Sequence, residues 1–159
     1  MDIPLDGSTK IQAHPPRVAF ISGPIDMPEG YFQKYYEPLL DRAIEAEDDF
    51  VVGPAPGVDA LALQYLLDKG VHPSRITVYL AEFQGKFDNS RKWFERLGGN
   101  VLIEGLTTRM RDAAMTRDSN YDILRYMSVK EQMEFFGARY YPRISNTEMN
   151  ERRRNGLSI

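Results

Sequence analysis

The chain contains no cysteine and only two histidines in 159 residues. Without cysteine there are no disulfides, no thiolate nucleophile and no thiolate-ligated metal. His14 and His72 lie far apart in sequence, and neither has a second histidine at ligand spacing, so no histidine metal site is expected. The sequence points to no cofactor. No apolar run is long enough to cross a bilayer, so no membrane association is expected. The first residues have neither the basic start nor the apolar stretch of a secretory signal, which gives a cytoplasmic expectation. Neither sign of charge dominates. A net charge of −3 argues against a partner held by phosphate electrostatics, such as nucleic acid.

What is present is an alternation. Residues 1–16 show no periodicity and read as a loose arm before one domain over 17–159. Short apolar runs then alternate with helical patterns. Runs at 17–23, 50–52, 75–80, 100–104 and 138–144 read as strands. Asp26 and Glu29 have the spacing of a capping box before a helix whose stripe includes Tyr31, Tyr35, Leu39 and Leu40. Pro38 interrupts that stripe and marks a kink or a new segment. Val58, Leu61, Ala62, Tyr65 and Leu66 form one helical face that Gly70 closes. Further helices are expected from Asn89 to Leu97, from Thr107 to Ser119, from Ser128 to Phe136 and from Ser145 to Arg154. Trp93, Phe94 and Phe87 are expected to pack a helix on the sheet, and Tyr140 and Tyr141 to flank the last strand. Strand–helix alternation at these lengths predicts an α/β Rossmann-like three-layer sandwich with a mostly parallel five-stranded sheet.

In such a sheet ligands bind beyond the carboxyl ends of the strands. The turns expected there share a character. Ser22-Gly23-Pro24-Ile25-Asp26, Gly53-Pro54-Ala55-Pro56-Gly57-Val58-Asp59 and Ser145-Asn146-Thr147-Glu148-Met149-Asn150 each place small or hydroxyl residues at a helix start. Unpaired N–H groups and the helix dipole favour anions at such places, and Gly53 and Gly57 give the backbone room to approach one. Arg111, Arg117 and Arg153 are candidate phosphate clamps, Arg111 first. A carboxylate beside a phosphate is repulsive, so Asp59 suits a ribose hydroxyl or the fixing of the loop. Each residue also has a plainer role: Asp26, Ser145 and Asn146 as caps, Asp59 and Glu148 as acids at the positive end of a helix.

The stretch Gly53-x-Ala55-x-Gly57-Val58-Asp59-x-x-Ala62 resembles the G-x-A-x-G-[VI]-D-x-x-A signature of the SLOG superfamily. This superfamily includes the Rossmann domain of DNA-processing protein A and the lonely-guy phosphoribohydrolases. Arg111 to Ile123 is similar to its R-[ND]-x-x-M-x-x-x-S-[DN]-x-x-I segment, and Ser145 to Asn150 to the turn that opens its last helix. The resemblance spans nearly all of the chain after Arg17. It implies a nucleotide pocket lined by Ser22, Gly23, Gly53, Gly57, Arg111, Ser119 and Thr147. One position departs. Lonely-guy hydrolases carry a glutamate three residues after the threonine, where this chain has Asn150, and an amide cannot act as base or nucleophile.

The expectation is therefore a binder of a small-molecule nucleotide, or an enzyme that processes one. The alternative is an N-glycosidic hydrolase or transferase acting on nucleoside 5′-monophosphates, which needs a carboxylate beside the sugar. Glu148 is the first candidate for that role and Asp59 another. A DNA-binding module is a third reading, which the acidic balance disfavours. Residues 110–115 and 121–127 offer apolar surface for a homo-oligomer, although core packing accounts for the same residues.

Overall fold

A computed structural model describes residues 16–85 and 89–158. The expected arm, except for Pro16, lies outside the described residues, as do His14 and Phe87. The strands are β1 Val18–Ser22, β2 Asp49–Val52, β3 Ile76–Leu80, β4 Asn100–Ile103 and β5 Tyr121–Leu124. The helices are α1 Tyr31–Tyr35, α2 Glu37–Glu45, α3 Val58–Asp68, α4 Glu82–Gly85, α5 Asn89–Arg96, α6 Thr108–Arg117, α7 Val129–Phe136 and α8 Asn146–Arg154. Every strand pairing is parallel, in the order β4-β3-β2-β1-β5. The architecture is the expected Rossmann-like sandwich.

Strand alternation explains the layers. Ala19, Ile21, Phe50, Val52 and Ile76 point to one face, where Leu40, Val58, Ala62 and Leu66 of α2 and α3 meet them. Phe20, Val51 and Tyr79 point to the other face and pack on Ala114 and Met115 of α6. The chain steps from β1 to β4 through helices on the first face. It returns to the far side of β1 through α6 on the second. This reversal places a switch point beside β1, where α/β sheets open a crevice at their carboxyl edge.

The last strand is a correction. Residues 138–144 are not a strand: a 3-10 turn over Gly137–Arg139 leads into irregular chain. Pro142 cannot donate to a ladder. The fifth strand is Tyr121–Leu124, paired with β1 through Ala19↔Tyr121 and Ile21↔Ile123. Its polar residues are satisfied elsewhere. The Tyr121 hydroxyl donates to Asp48 Oδ2 at 2.6 Å, and both oxygens of Asp122 accept from Arg154 at 3.0 and 3.3 Å.

The capping box at Asp26 and Glu29 is also absent. Both residues are exposed, and α1 is preceded by Gly30 in a left-handed conformation (φ 80°). A turn bond from Tyr31 N–H to the Pro28 carbonyl starts the helix instead. Pro38 lies in the first turn of α2, where its missing N–H costs nothing, so the stripe divides into two helices. Phe94 is buried in the core, whereas Trp93 is half exposed. Tyr141 is exposed beside irregular chain. Of the apolar stretches considered for an oligomer, Met110 is exposed, while Met115, Ile123 and Met127 are core residues. Among the described residues no helix is long and apolar enough to cross a membrane.

Gly57 shows how tightly the carboxyl edge is packed. It sits at φ 80°, ψ −129°, a region open in practice only to glycine. A β-carbon there would strike the backbone of Pro24 and Ile25. The space is filled by the loop after β1, and the Val58 N–H donates to the Pro24 carbonyl at 3.1 Å. Gly70 has a similar φ of 82° with open space around it. Gly57→Ala should therefore lower the unfolding free energy by roughly 2–4 kcal/mol, strain and clash together. Gly70→Ala should cost only about 1 kcal/mol. Urea unfolding of both variants tests this, and equal losses would contradict the packing described.

Candidate functional site

A cleft of about 490 Å³ opens at the carboxyl edge of the sheet, within the range of small-molecule sites. The ends of β1 and β2 and the start of α3 form one part of its lining. Arg111, Asp112 and Met115 of α6 and the start of α8 form another. Tyr126, Met127, Gln132, Phe136 and Arg143 complete it. The sequence-derived candidates Ser22, Gly23, Asp26, Gly53, Asp59, Arg111, Ser145, Asn146, Thr147 and Asn150 all line this cleft. Gly57, Ser119 and Glu148 do not.

Each of those exceptions has a structural position. Gly57 lies behind the lining, against the loop after β1. Ser119 sits just before β5, at the opposite edge of the sheet. Its hydroxyl donates to the Met115 carbonyl at 2.6 Å and accepts from Arg154. Glu148 forms an i,i+4 ion pair with Arg152 at 2.9 Å, half-buried beside the cleft. Of the other clamp candidates, Arg117 pairs with Asp118 and Glu104. Arg153 donates to Asn150 Oδ1 at 2.8 Å.

The floor is built around Asp59. Gly53 leaves room for its carboxylate, because a β-carbon at Gly53 would lie 2.8 Å from Asp59 Oδ2 and 3.4 Å from the Arg111 guanidinium. Asp59 is 8 % exposed and accepts one bond, from the Ala55 N–H at 3.3 Å. Burial pushes its pKa up to about 7; the Ala55 N–H and Arg111 counteract this, while Asp112 adds to it. Arg111 is also buried, and three of its five N–H groups are engaged. Nε and Nη2 donate to Asp112 Oδ1 at 3.1 and 2.9 Å, and Nη1 donates to Gln84 Oε1 at 3.0 Å. These bonds hold it in the floor of the cleft, and one N–H on each of Nη1 and Nη2 has no bond among the described residues. On the same lining, the buried Ser22 Oγ has no hydrogen-bond partner among the described residues.

The opposite part of the cleft is rich in free donors. Ser145 caps α8, its Oγ accepting from the Glu148 N–H at 3.1 Å. The N–H groups of Asn146 and Thr147 have no partner among the described residues. These are the orphan donors of a helix start. Arg143 is exposed near them on the lining. It stacks on Tyr141 at 4.9 Å and donates to its hydroxyl at 2.7 Å, with no carboxylate partner among the described residues. Sequence reasoning did not single out Arg143, Asp112, Tyr126 or Gln132. Arg143 lies in the stretch read as a strand, where a cation at a ligand mouth gave no signal. Comparison with protein-family models, with curated proteins and with solved structures finds no match.

The Asp59 environment predicts a pH dependence. A carboxyl with pKa near 7 in the folded state and 3.8 when unfolded binds more protons folded than unfolded between those values. Its contribution to stability is therefore full below about pH 4, falls as pH rises and levels off above about pH 7. Asp59→Asn removes this term. The stability of the wild type minus that of Asp59→Asn should fall by a few kcal/mol, roughly, between pH 4 and 8 in urea unfolding. A difference that stays constant with pH would contradict the buried, proton-binding state.

Proposed function

We propose that the cleft binds a nucleoside 5′-phosphate or a related phosphorylated nucleoside. The observation that carries this reading is the start of α8. Asn146 and Thr147 line the cleft with N–H groups that have no partner among the described residues, and Arg143 lies on the same lining with no carboxylate partner among them. A helix start with free donors and an adjacent guanidinium is chemistry suited to a phosphate. The resemblance of Gly53–Ala62 and Arg111–Ile123 to the SLOG motifs supports the same class of ligand. The cleft volume accommodates a sugar and a base beside the phosphate.

Phosphate then supplies more of the affinity than the base. A nucleoside 5′-monophosphate should raise the melting temperature more than the parent nucleoside at equal concentration, since stabilisation follows affinity. Equal shifts for the pair would contradict a phosphate site at α8.

One observation favours N-glycosidic cleavage as a second reading: a buried carboxylate, Asp59, lies on the floor of the same cleft. Glu148 is turned to Arg152. If wild-type protein releases free base from nucleoside 5′-monophosphates, Asp59→Asn should slow release by orders of magnitude and Glu148→Gln should release base at close to the wild-type rate. Loss of activity in Glu148→Gln with Asp59→Asn unaffected would return the role to Glu148. No base release from wild type would leave a binding domain.

A further inference from the structure

Resting on the phosphate reading above, we propose that Asp59 recognises the vicinal hydroxyls of the ligand's sugar, so that the cleft selects ribosyl over dideoxyribosyl phosphates. Donors and acceptors occupy separate parts of the cleft. Unpaired donors gather at the start of α8, with Arg143 nearby. The floor holds the acceptor, Asp59, and the nearest cation, Arg111, is already bonded to Asp112 and Gln84. A phosphate has no proton to offer Asp59 and would be repelled by it in its charged form. A hydroxyl donates to a carboxylate, and two neighbouring hydroxyls match its two oxygens.

A second group fits the same partner. Ser22 is 8 % exposed, lines the cleft, and its hydroxyl has no hydrogen-bond partner among the described residues. Ile21 pairs with Val52, so Ser22 and Gly53 are neighbouring positions on adjacent strands. By strand alternation both point to the α6 face of the sheet. The Asp59 carboxylate occupies the space where a Gly53 side chain would begin. Ser22 Oγ and the Asp59 carboxylate, not bonded to each other, therefore lie in neighbouring parts of the floor, one a donor hydroxyl and the other an acceptor. A sugar hydroxyl both donates and accepts at one oxygen, so it satisfies the pair together. A buried hydroxyl left unpaired is costly, which makes such a complement favourable.

Calorimetric titration of the full chain tests this with ribose 5-phosphate, the common ribonucleoside 5′-monophosphates and their 2′,3′-dideoxy counterparts. Wild type should bind a ribonucleotide about ten- to a hundredfold more tightly than its dideoxy form, the range of a hydrogen bond to a charged group. Asp59→Asn, which keeps an acceptor oxygen and loses the charge, should lower that ratio severalfold, and an unchanged ratio in a folded variant would overturn the assignment to Asp59. The wild-type ratio is informative even if the variant folds poorly. Equal wild-type affinities for the ribo and dideoxy forms would overturn the hydroxyl assignment and leave the phosphate reading standing. No binding of any of these phosphates at millimolar concentration would overturn both.

Discussion

A carboxylate held out of water at the end of a parallel sheet is the constraint that organises this site. Removing a carboxylate from water is expensive, and among the described residues Asp59 receives one backbone N–H and the field of a neighbouring arginine in return. Its pKa near 7 records that balance. Accommodating it shapes the surroundings. Position 53 must lack a side chain, because a β-carbon would meet the carboxylate. Arg111 is held close to it by bonds to Asp112 and Gln84.

The rest of the fold keeps this edge in register. The buried Tyr36 hydroxyl accepts from the Arg125 N–H at 2.9 Å and lies 2.7 Å from the Ser22 carbonyl, which ties the carboxyl ends of β1 and β5 together. Gly23 is required beside it, since a β-carbon would strike that hydroxyl and Val58. Arg125 itself lies 3.7 Å from the ring of Tyr35 and makes a two-point ion pair with Glu131 at 2.7 and 3.0 Å, fixing the start of α7 at the mouth of the cleft. At the opposite edge Asp48 does the corresponding job. Its oxygens accept from the Arg17 N–H and the Tyr121 hydroxyl, one at the start of β1 and the other at the start of β5. The cleft is thus flanked by clamped strands, the pre-formed kind of site that binds small ligands with little reorganisation.

The fold class and most elements were legible because they depend on local signals. Strands β1 to β4 are short apolar runs, and Ser128 and Ser145 announce their helices by capping, as the structure shows. The turns at the strand ends also brought most of the candidate residues to one cleft. What stayed hidden depends on distant partners. β5 carries Asp122, whose partner Arg154 is 32 residues away, so the run did not read as a buried strand. Tyr140 and Tyr141 suggested a strand where Pro142 and the lack of a neighbouring strand forbid one. The bond from Arg111 to Gln84, 27 residues away, has no sequence signature. Gly57 read as room for a ligand, and that room is taken by the loop after β1.

The central claim is that the cleft between Asp59 and the start of α8 receives a phosphorylated nucleoside. Amide chemical-shift mapping by nuclear magnetic resonance, with a ribonucleoside 5′-monophosphate titrated into the full chain, tests it most directly. The account predicts saturable shifts that are largest at the N–H groups of Asn146 and Thr147 and at Ala55 and Asp59 on the floor. Saturable shifts confined to another surface, such as the exposed Leu102 and Ile103 of β4, would contradict it.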